Sequence, residues 1–409
     1  MKTILILGGG TGGTIMANKL SKRLDPQEWK IVVVDKEQTH YYQPGFLFIP
    51  FGMYKPEDVI KEKKTFLPSN VKFILAEIEK VTPVENEVTL RGGEKLHYDT
   101  LIIATGTDIH PEEIEGMKDG GWHQNIFDFY TFEGTTGLAK FLDKFDGGRV
   151  VVHVAEMPIK CPVAPLEFSF LADDYFHRRG IRNKVELVYA TPLSGAFTKP
   201  RSSAALGSML EKKGIHIEPD FAVSGVDSSR NVISSYDGRE LNYDLLVTIP
   251  TNMGAEFIGD SGLGDDLNFV PTNKTTLQSS KWPNIWVIGD ATNVPASKAG
   301  AVTHFESDTL IENIMHQIKG EPLQETFDGH ANCYIESGHG KALLIDFNYD
   351  TEPLPGTYPL PGIGPFSLLK ESTINHWGKL FFKWMYWNLI IKGLPLPVST
   401  QMSLTGKRP

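Results

Sequence analysis

Apolar residues in this chain fall into short runs that end on turn-forming residues. Ile4 to Leu7 is a compact apolar run, Thr14 to Leu24 has helical spacing, and Ile31-Val32-Val33-Val34-Asp35 is a second apolar run ending on an acid. Strand, glycine-rich turn, helix and strand make a βαβ opening. Val71 to Leu101 breaks into short strands around turns such as Arg91-Gly92-Gly93, and leads into Leu101-Ile102-Ile103-Ala104-Thr105-Gly106. The order then restarts. Arg149–Ala155 reads as a strand, Pro162–Arg179 as a helix, Lys184–Ala190 as a strand and Arg201–Lys213 as a helix. A small β region follows to Tyr243, and Asp244–Ile249 closes the unit. Two similar halves predict an internal duplication. Ile285–Asp290 is a further buried strand, Ala301–Lys319 a helix, and Ala331–Phe347 a pair of strands. Residues 350–366, rich in proline and glycine, predict a loop, and 375–391 a last helix.

Bulk properties narrow the classes. With 409 residues the chain exceeds one compact core, so two or three domains are expected. A net charge of −10 argues against nucleic acid as a partner. Only two cysteines occur, Cys161 and Cys333, too few for a disulfide framework or a cysteine-built metal centre. The histidines, including His123, His304 and His339, show no metal-ligand spacing, so no metal is expected. The chain enters a strand directly after Met1-Lys2-Thr3, which predicts no signal peptide. No run of about 18 apolar residues predicts a spanning helix.

Gly8-Gly9-Gly10-Thr11-Gly12-Gly13 follows a strand and opens a helix. Glycines at those places let backbone approach a diphosphate, and the helix N-terminus offers free N–H groups and positive potential. Asp35 ends the second strand, 22 residues past Gly13, where a carboxylate can accept hydrogen bonds from ribose hydroxyls. Ala104-Thr105-Gly106 ends a strand after a β meander, and Gly289-Asp290 ends another shortly before a helix. Asp290 is placed to hold a ribityl chain, and the next helix start to face a reduced flavin ring.

Together these motifs resemble the FAD family of disulfide reductases, single-subunit NADH:quinone dehydrogenases, sulfide:quinone oxidoreductases and flavocytochrome c sulfide dehydrogenases, over essentially the whole chain. The resemblance implies an α/β fold with two Rossmann-like dinucleotide-binding domains. FAD would occupy residues 1–115 with 270–320. A second domain over 116–269 would lack an NAD fingerprint, and 321–409 would form a C-terminal, membrane-associated region.

The second half separates these relatives. After the Arg149–Ala155 strand stands Glu156-Met157-Pro158-Ile159-Lys160-Cys161-Pro162, with no Gly-x-Gly-x-x-Gly, so a nicotinamide site is not expected. Pro162 suits a first helical position, making Cys161 a candidate N-cap with a lowered thiol pKa. No Cys-x-x-Cys is present. The pattern is similar to sulfide:quinone oxidoreductases. Matching features are Cys161-Pro162-Val163-Ala164-Pro165-Leu166-Glu167, Cys333 ahead of a late strand, Lys298-Ala299-Gly300 after the Gly-Asp motif, and an amphipathic C-terminus. That resemblance implies oxidation of sulfide to sulfur or polysulfide. Cys161 and Cys333 would be the redox pair and Glu167 a candidate proton acceptor; Cys161 as first persulfide carrier with Cys333 as flavin-facing thiolate is the favoured order, which the sequence does not fix. For Glu167, a solvated helical carboxylate is an equal reading. Tyr130 stands where many members carry a third cysteine, and His40-Tyr41-Tyr42-Gln43-Pro44 lacks the cysteine that tethers FAD in some, so non-covalent FAD is expected.

Residues 375–392 are aromatic and basic. Trp377, Phe381, Trp384, Asn388 and Ile391 share one helical face, flanked by Leu380 and Trp387, while Lys379 and Lys383 point elsewhere. From Lys370 to Pro409 the net charge is +5. Such a tail predicts monotopic binding at a membrane surface, with the cytoplasmic side favoured; the resemblance implies a membrane quinone as acceptor. Packing on the protein's own core or on a second copy in a homo-oligomer is the other reading. Phe347 and Phe366 are candidate quinone contacts. A flavoprotein subunit passing electrons to a haem protein, an NADH:quinone dehydrogenase and a non-catalytic flavoprotein are the alternatives.

Overall fold

A computed structural model describes residues 1–360, 362–396 and 398–408. Its first sheet has five parallel strands in the order Ile285–Val287, Thr100–Ile103, Lys2–Leu7, Trp29–Asp35 and Val71–Leu75. Ile4 to Leu7 and Val33 and Val34 have no exposed surface, which explains why these strands read as continuous apolar runs. The helix Thr11–Arg23 follows the first strand, and the helix Gly300–Lys319 packs against it.

A second five-stranded parallel sheet orders Ile126–Phe127, Leu245–Ile249, Gly148–Val154, Val185–Ala190 and Ile215–Glu218. Each sheet is accompanied by a three-stranded antiparallel meander, Ile78–His97 for the first and Val223–Asn242 for the second. The fold is thus α/β with two parallel Rossmann-like sheets.

The C-terminal sheet orders Ala331–Gly338, Lys341–Phe347, Gly364–Leu368 and Gly356–Leu360. The loop expected over 350–366 is therefore partly strand: Gly356–Leu360 pairs antiparallel with Gly364–Leu368, its prolines Pro359 and Pro365 facing one another across the pair. Prolines are tolerated on such an edge, where the missing N–H is not needed. The helix Thr373–Met385 lies against this sheet and passes into a π-helical turn, Tyr386–Ile390. No helix among the described residues is long and apolar enough to cross a membrane.

Candidate active site

One cavity of 1080 Å³ runs between the two parallel sheets and the C-terminal sheet. Gly8, Gly10, Thr11, Gly12, Asp35, Ala104, Thr105, Gly106, Gly289, Asp290, Lys298 and Gly300 line it, as do Cys161, Glu167, Cys333 and Phe366. Residues hundreds of positions apart thus share one wall. Gly13 and Phe347 do not line it.

Gly8 has φ +92° and lies so close to the Ala104 carbonyl that a Cβ would stand 2.5 Å from its oxygen. Gly13 is a packing glycine instead of a lining one, since a Cβ there would fall 1.8 Å from the Gly8 carbonyl oxygen. Gly10 and Gly106 face open space. No side chain among the described residues caps the helix that starts at Thr11, so its first N–H groups point at the cavity unmet. The Thr105 and Thr107 hydroxyls are likewise buried without a partner among the described residues. Unmet donors around an open glycine turn fit a dinucleotide diphosphate.

Asp35 accepts from Gly9 N at 2.6 Å and from the buried Lys63 ammonium at 2.7 Å. Its carboxylate is therefore held rigidly in the cavity wall. Across the cavity, burial pushes the Asp290 carboxyl up, opposed by Lys298 and Lys160. Lys298 Nζ donates to the Asp290 and Thr292 carbonyls at 2.7 and 2.6 Å. Below the turn, Glu306 accepts from Gly289 N at 2.6 Å, and burial pushes its carboxyl up to about 7. These contacts fix the Gly289-Asp290 turn against the first sheet.

Around the cysteines the structure departs from expectation. The helix begins at Ala164 with Val163 at its cap, so Cys161 is not the N-cap. Its backbone is left-handed, φ +47°, unusual for a residue with a side chain and a mark of a constrained site. Cys161 N donates to the Lys298 carbonyl at 2.6 Å, stitching this turn to the first domain's Lys298-Ala299-Gly300 segment, and Tyr130 Oη donates to the Cys161 carbonyl at 3.1 Å. The lowered thiol pKa expected from a helix terminus is not found. Burial pushes Cys161 up, the Glu167 carboxylate adds to this, and the Lys379 ammonium opposes it. Burial likewise pushes Cys333 up to about 12.

Glu167 is no solvated carboxylate. It is fully buried, takes Lys379 Nζ at 2.6 Å and Glu336 N at 2.7 Å on one oxygen, and has no partner among the described residues on the other. Burial raises its pKa, with Lys379 pulling against that. Lys379 also donates to the Tyr334 carbonyl at 2.8 Å. Next to it Glu336, itself buried, holds His376 at 2.9 Å, which raises the imidazole's pKa.

Residues 2–152 match the family described as pyridine nucleotide-disulphide oxidoreductase. Over 398 residues the chain is 28% identical to the mitochondrial sulfide:quinone oxidoreductase of Dictyostelium discoideum, covering 95% of this chain and 86% of that protein. The mitochondrial sulfide:quinone oxidoreductase of Mus musculus is 26% identical over 397 residues, with the same two shares. Over nearly its whole length the chain is thus similar to sulfide:quinone oxidoreductases. The match over residues 2–152 places that part of the chain with the pyridine nucleotide-disulphide oxidoreductases. In fold it matches the crystal structure of the sulfide:quinone oxidoreductase from Aquifex aeolicus with a TM-score of 0.79 at 21% identity, covering 96% of this chain and 92% of that one.

The C-terminal segment has two faces. Trp377, Phe381 and Trp384 stand out into solvent at 64, 54 and 51% exposure, with Phe381 and Trp384 stacked at 5.2 Å. Trp387 and Ile391, expected on or beside that face, are instead buried: Trp387 stacks on Phe66 at 5.2 Å. The π-turn supplies the reason, because its extra residue turns Tyr386, Trp387, Ile390 and Ile391 inward together. Lys379, expected away from the site, is a wall of it. Phe347 is buried under Lys199, outside the cavity. Among the aromatic residues at the C-terminal end, Phe366, Phe381 and Phe382 line the cavity, so it opens beside the exposed aromatic face.

Sequence reasoning missed Lys63, Lys160, Lys379, Glu336, His376 and Tyr386. No spacing signals them, because each is brought in by a different element. His339 lies with Asp173 and His177 in a group whose ligand atoms fall within 4.8 Å of one another. Arg182 at 2.7 Å and Lys213 at 3.6 Å already neutralise Asp173, which leaves the group poorly suited to a cation.

Proposed function

We infer that this protein oxidises sulfide to sulfur or polysulfide and delivers the electrons to a membrane quinone. The observation that carries this reading is the presence of Cys161 and Cys333, from separate segments, on the wall of the same cavity as the glycine turn. FAD, held without a covalent bond, would lie along Gly8, Gly10, Thr11, Gly12, Asp35, Ala104–Gly106 and Gly289-Asp290, with Gly13 supporting the turn and Lys298 and Gly300 near its ring. When bound, FAD accepts the electron pair drawn from sulfide and passes it on to quinone.

In the oxidised pair Cys161 and Cys333 are joined. Hydrosulfide attacks one sulfur, the sulfur–sulfur bond breaks, and a persulfide on Cys161 and a thiolate on Cys333 result. Burial opposes free thiolates here, and the Lys379 ammonium counters it by lowering both thiol pKa values. Glu167, paired with Lys379, takes up the proton released. Residues 1–115 with 270–320, 116–269 and 321–409 would serve as FAD-binding, middle and C-terminal domains.

Quinone would reach the cavity beside Phe366, Phe381 and Phe382, with Phe347 only a distant support of that wall. Trp377, Phe381 and Trp384, on a tail of net charge +5, would place that opening at an anionic membrane surface through residues 375–392. An NADH:quinone reading is weaker. The turn after the strand Gly148–Val154 ends in Pro158, Lys160 and Cys161, the last stitched to Lys298, where a nicotinamide dinucleotide would need bare backbone.

Cys161→Ser and Cys333→Ser test the pairing. Each should nearly abolish sulfide-dependent quinone reduction while FAD stays bound, and the double variant should be little worse than either, as residues acting as a unit are not additive. Sulfide-treated wild type should show added sulfur mass on a peptide holding one of the cysteines. Near-normal turnover in either single variant would remove the mechanism.

A further inference from the structure

The C-terminal segment reaches back into the glycine turn at the far end of the chain. Tyr386, the first residue of the π-turn, is 1% exposed. Its hydroxyl lies 2.7 Å from Thr11 Oγ1 and 2.7 Å from His40 Nε2. Thr11 is the first residue of the uncapped helix and lines the cavity. The docking around this contact is extensive. Asn18 Nδ2 donates to the Ile391 carbonyl at 3.1 Å, and Lys22 Nζ donates to the Lys392 carbonyl at 3.0 Å.

We propose that Tyr386 is a positioning residue for the cofactor, which aims the Thr11 hydroxyl at the diphosphate, so that flavin retention depends on the C-terminal segment. This rests on the reading of the glycine turn as the FAD site. The chemistry runs along the hydrogen-bond chain. His40 is buried and neutral at working pH, its pKa lowered to about 3 by burial and by Lys63. Here His40 is assigned the Nε2–H tautomer, in which it donates to Tyr386 Oη. With that tautomer the phenol donates to Thr11 Oγ1, which leaves the Thr11 hydrogen free for an anion. Each link polarises the next in the same sense, so a diphosphate meets a stronger donor than an isolated threonine. Tyr386 also lines the cavity, and its role here runs through Thr11; burial raises its phenol pKa and keeps it protonated.

The test measures FAD release from the holoprotein, by the rise in flavin fluorescence after dilution, together with the FAD dissociation constant. Tyr386→Phe keeps the ring and its packing and removes only the hydroxyl. The expected result is about ten-fold weaker FAD binding. Thr11→Val should show the same loss, Thr11→Ser should largely restore wild-type affinity, and Thr11→Val with Tyr386→Phe should be no worse than either alone. Trp387→Leu, which disturbs the same docking without touching the hydroxyl chain, should lower the melting temperature more than it weakens FAD binding. Wild-type affinity in Tyr386→Phe, or additive losses in the double variant, would overturn the proposal while leaving the FAD site standing. A wild-type protein that holds no FAD would overturn both.

Discussion

Replacing Lys379 by Met removes one charge from a buried pair and keeps most of the side chain's volume. In the wild type Glu167 has no exposed surface, and Lys379 at 2.6 Å is its only cation among the described residues. After the change the carboxylate keeps a single donor, Glu336 N at 2.7 Å, and the Tyr334 carbonyl loses its lysine. Stranding one partner of a buried pair costs about 3–5 kcal/mol. Protonating Glu167 is the escape. Its pKa is raised by burial, and the two strongest opposing influences both come from Lys379, so the variant's value must be higher still. An acid whose folded pKa is raised weakens the fold wherever it is ionised. The variant's deficit should therefore be about 3 kcal/mol or more at pH 8 and should shrink as pH falls through that raised value, by about 1.4 kcal/mol per unit of pKa shift relieved. Urea denaturation from pH 5 to 8 measures this. Glu167→Gln combined with Lys379→Met should recover most of the loss. A deficit below about 1 kcal/mol, or one flat across that pH range, would refute this reading of the pair.

Three further outcomes are expected. Acid precipitation should release a yellow supernatant, because the segment His40–Pro44, which lines the cavity, offers no cysteine to tether FAD; flavin retained in the pellet would contradict this. Replacing Trp377, Phe381 and Trp384 together by Ser should cut binding to anionic vesicles at least ten-fold with little change in melting temperature, since all three are exposed; unchanged vesicle binding would end the anchoring role. Removing residues 375–409 should, by contrast, cost flavin as well as membrane binding, because Tyr386 and Ile391 dock on the helix Thr11–Arg23; a truncated protein that keeps its FAD would show that the docking is dispensable.

Local pattern explains what was legible. Glycines at Gly8–Gly13 and Gly289 carry their reason in the backbone, and the buried parallel strands in uninterrupted apolar runs. The two cysteines could be singled out because one occupies a place where the fold normally needs glycine. What stayed hidden depends on long-range approach. Lys379 looks like a surface lysine on an amphipathic helix until Glu167, 212 residues earlier, is set against it. Tyr386 and Trp387 read as part of an exposed aromatic stripe because ordinary helical spacing does not anticipate the π-turn. The 350–366 stretch reads as a loop because proline suggests one, although an edge pair of strands tolerates proline as well.

The central claim, that sulfide feeds electrons to the flavin, is tested by anaerobic titration of the purified holoprotein, following flavin absorbance. About one equivalent of sulfide should bleach the flavin rapidly, added quinone should restore its colour, and NADH at the same concentration should leave it yellow. Rapid bleaching by NADH with none by sulfide would contradict the claim.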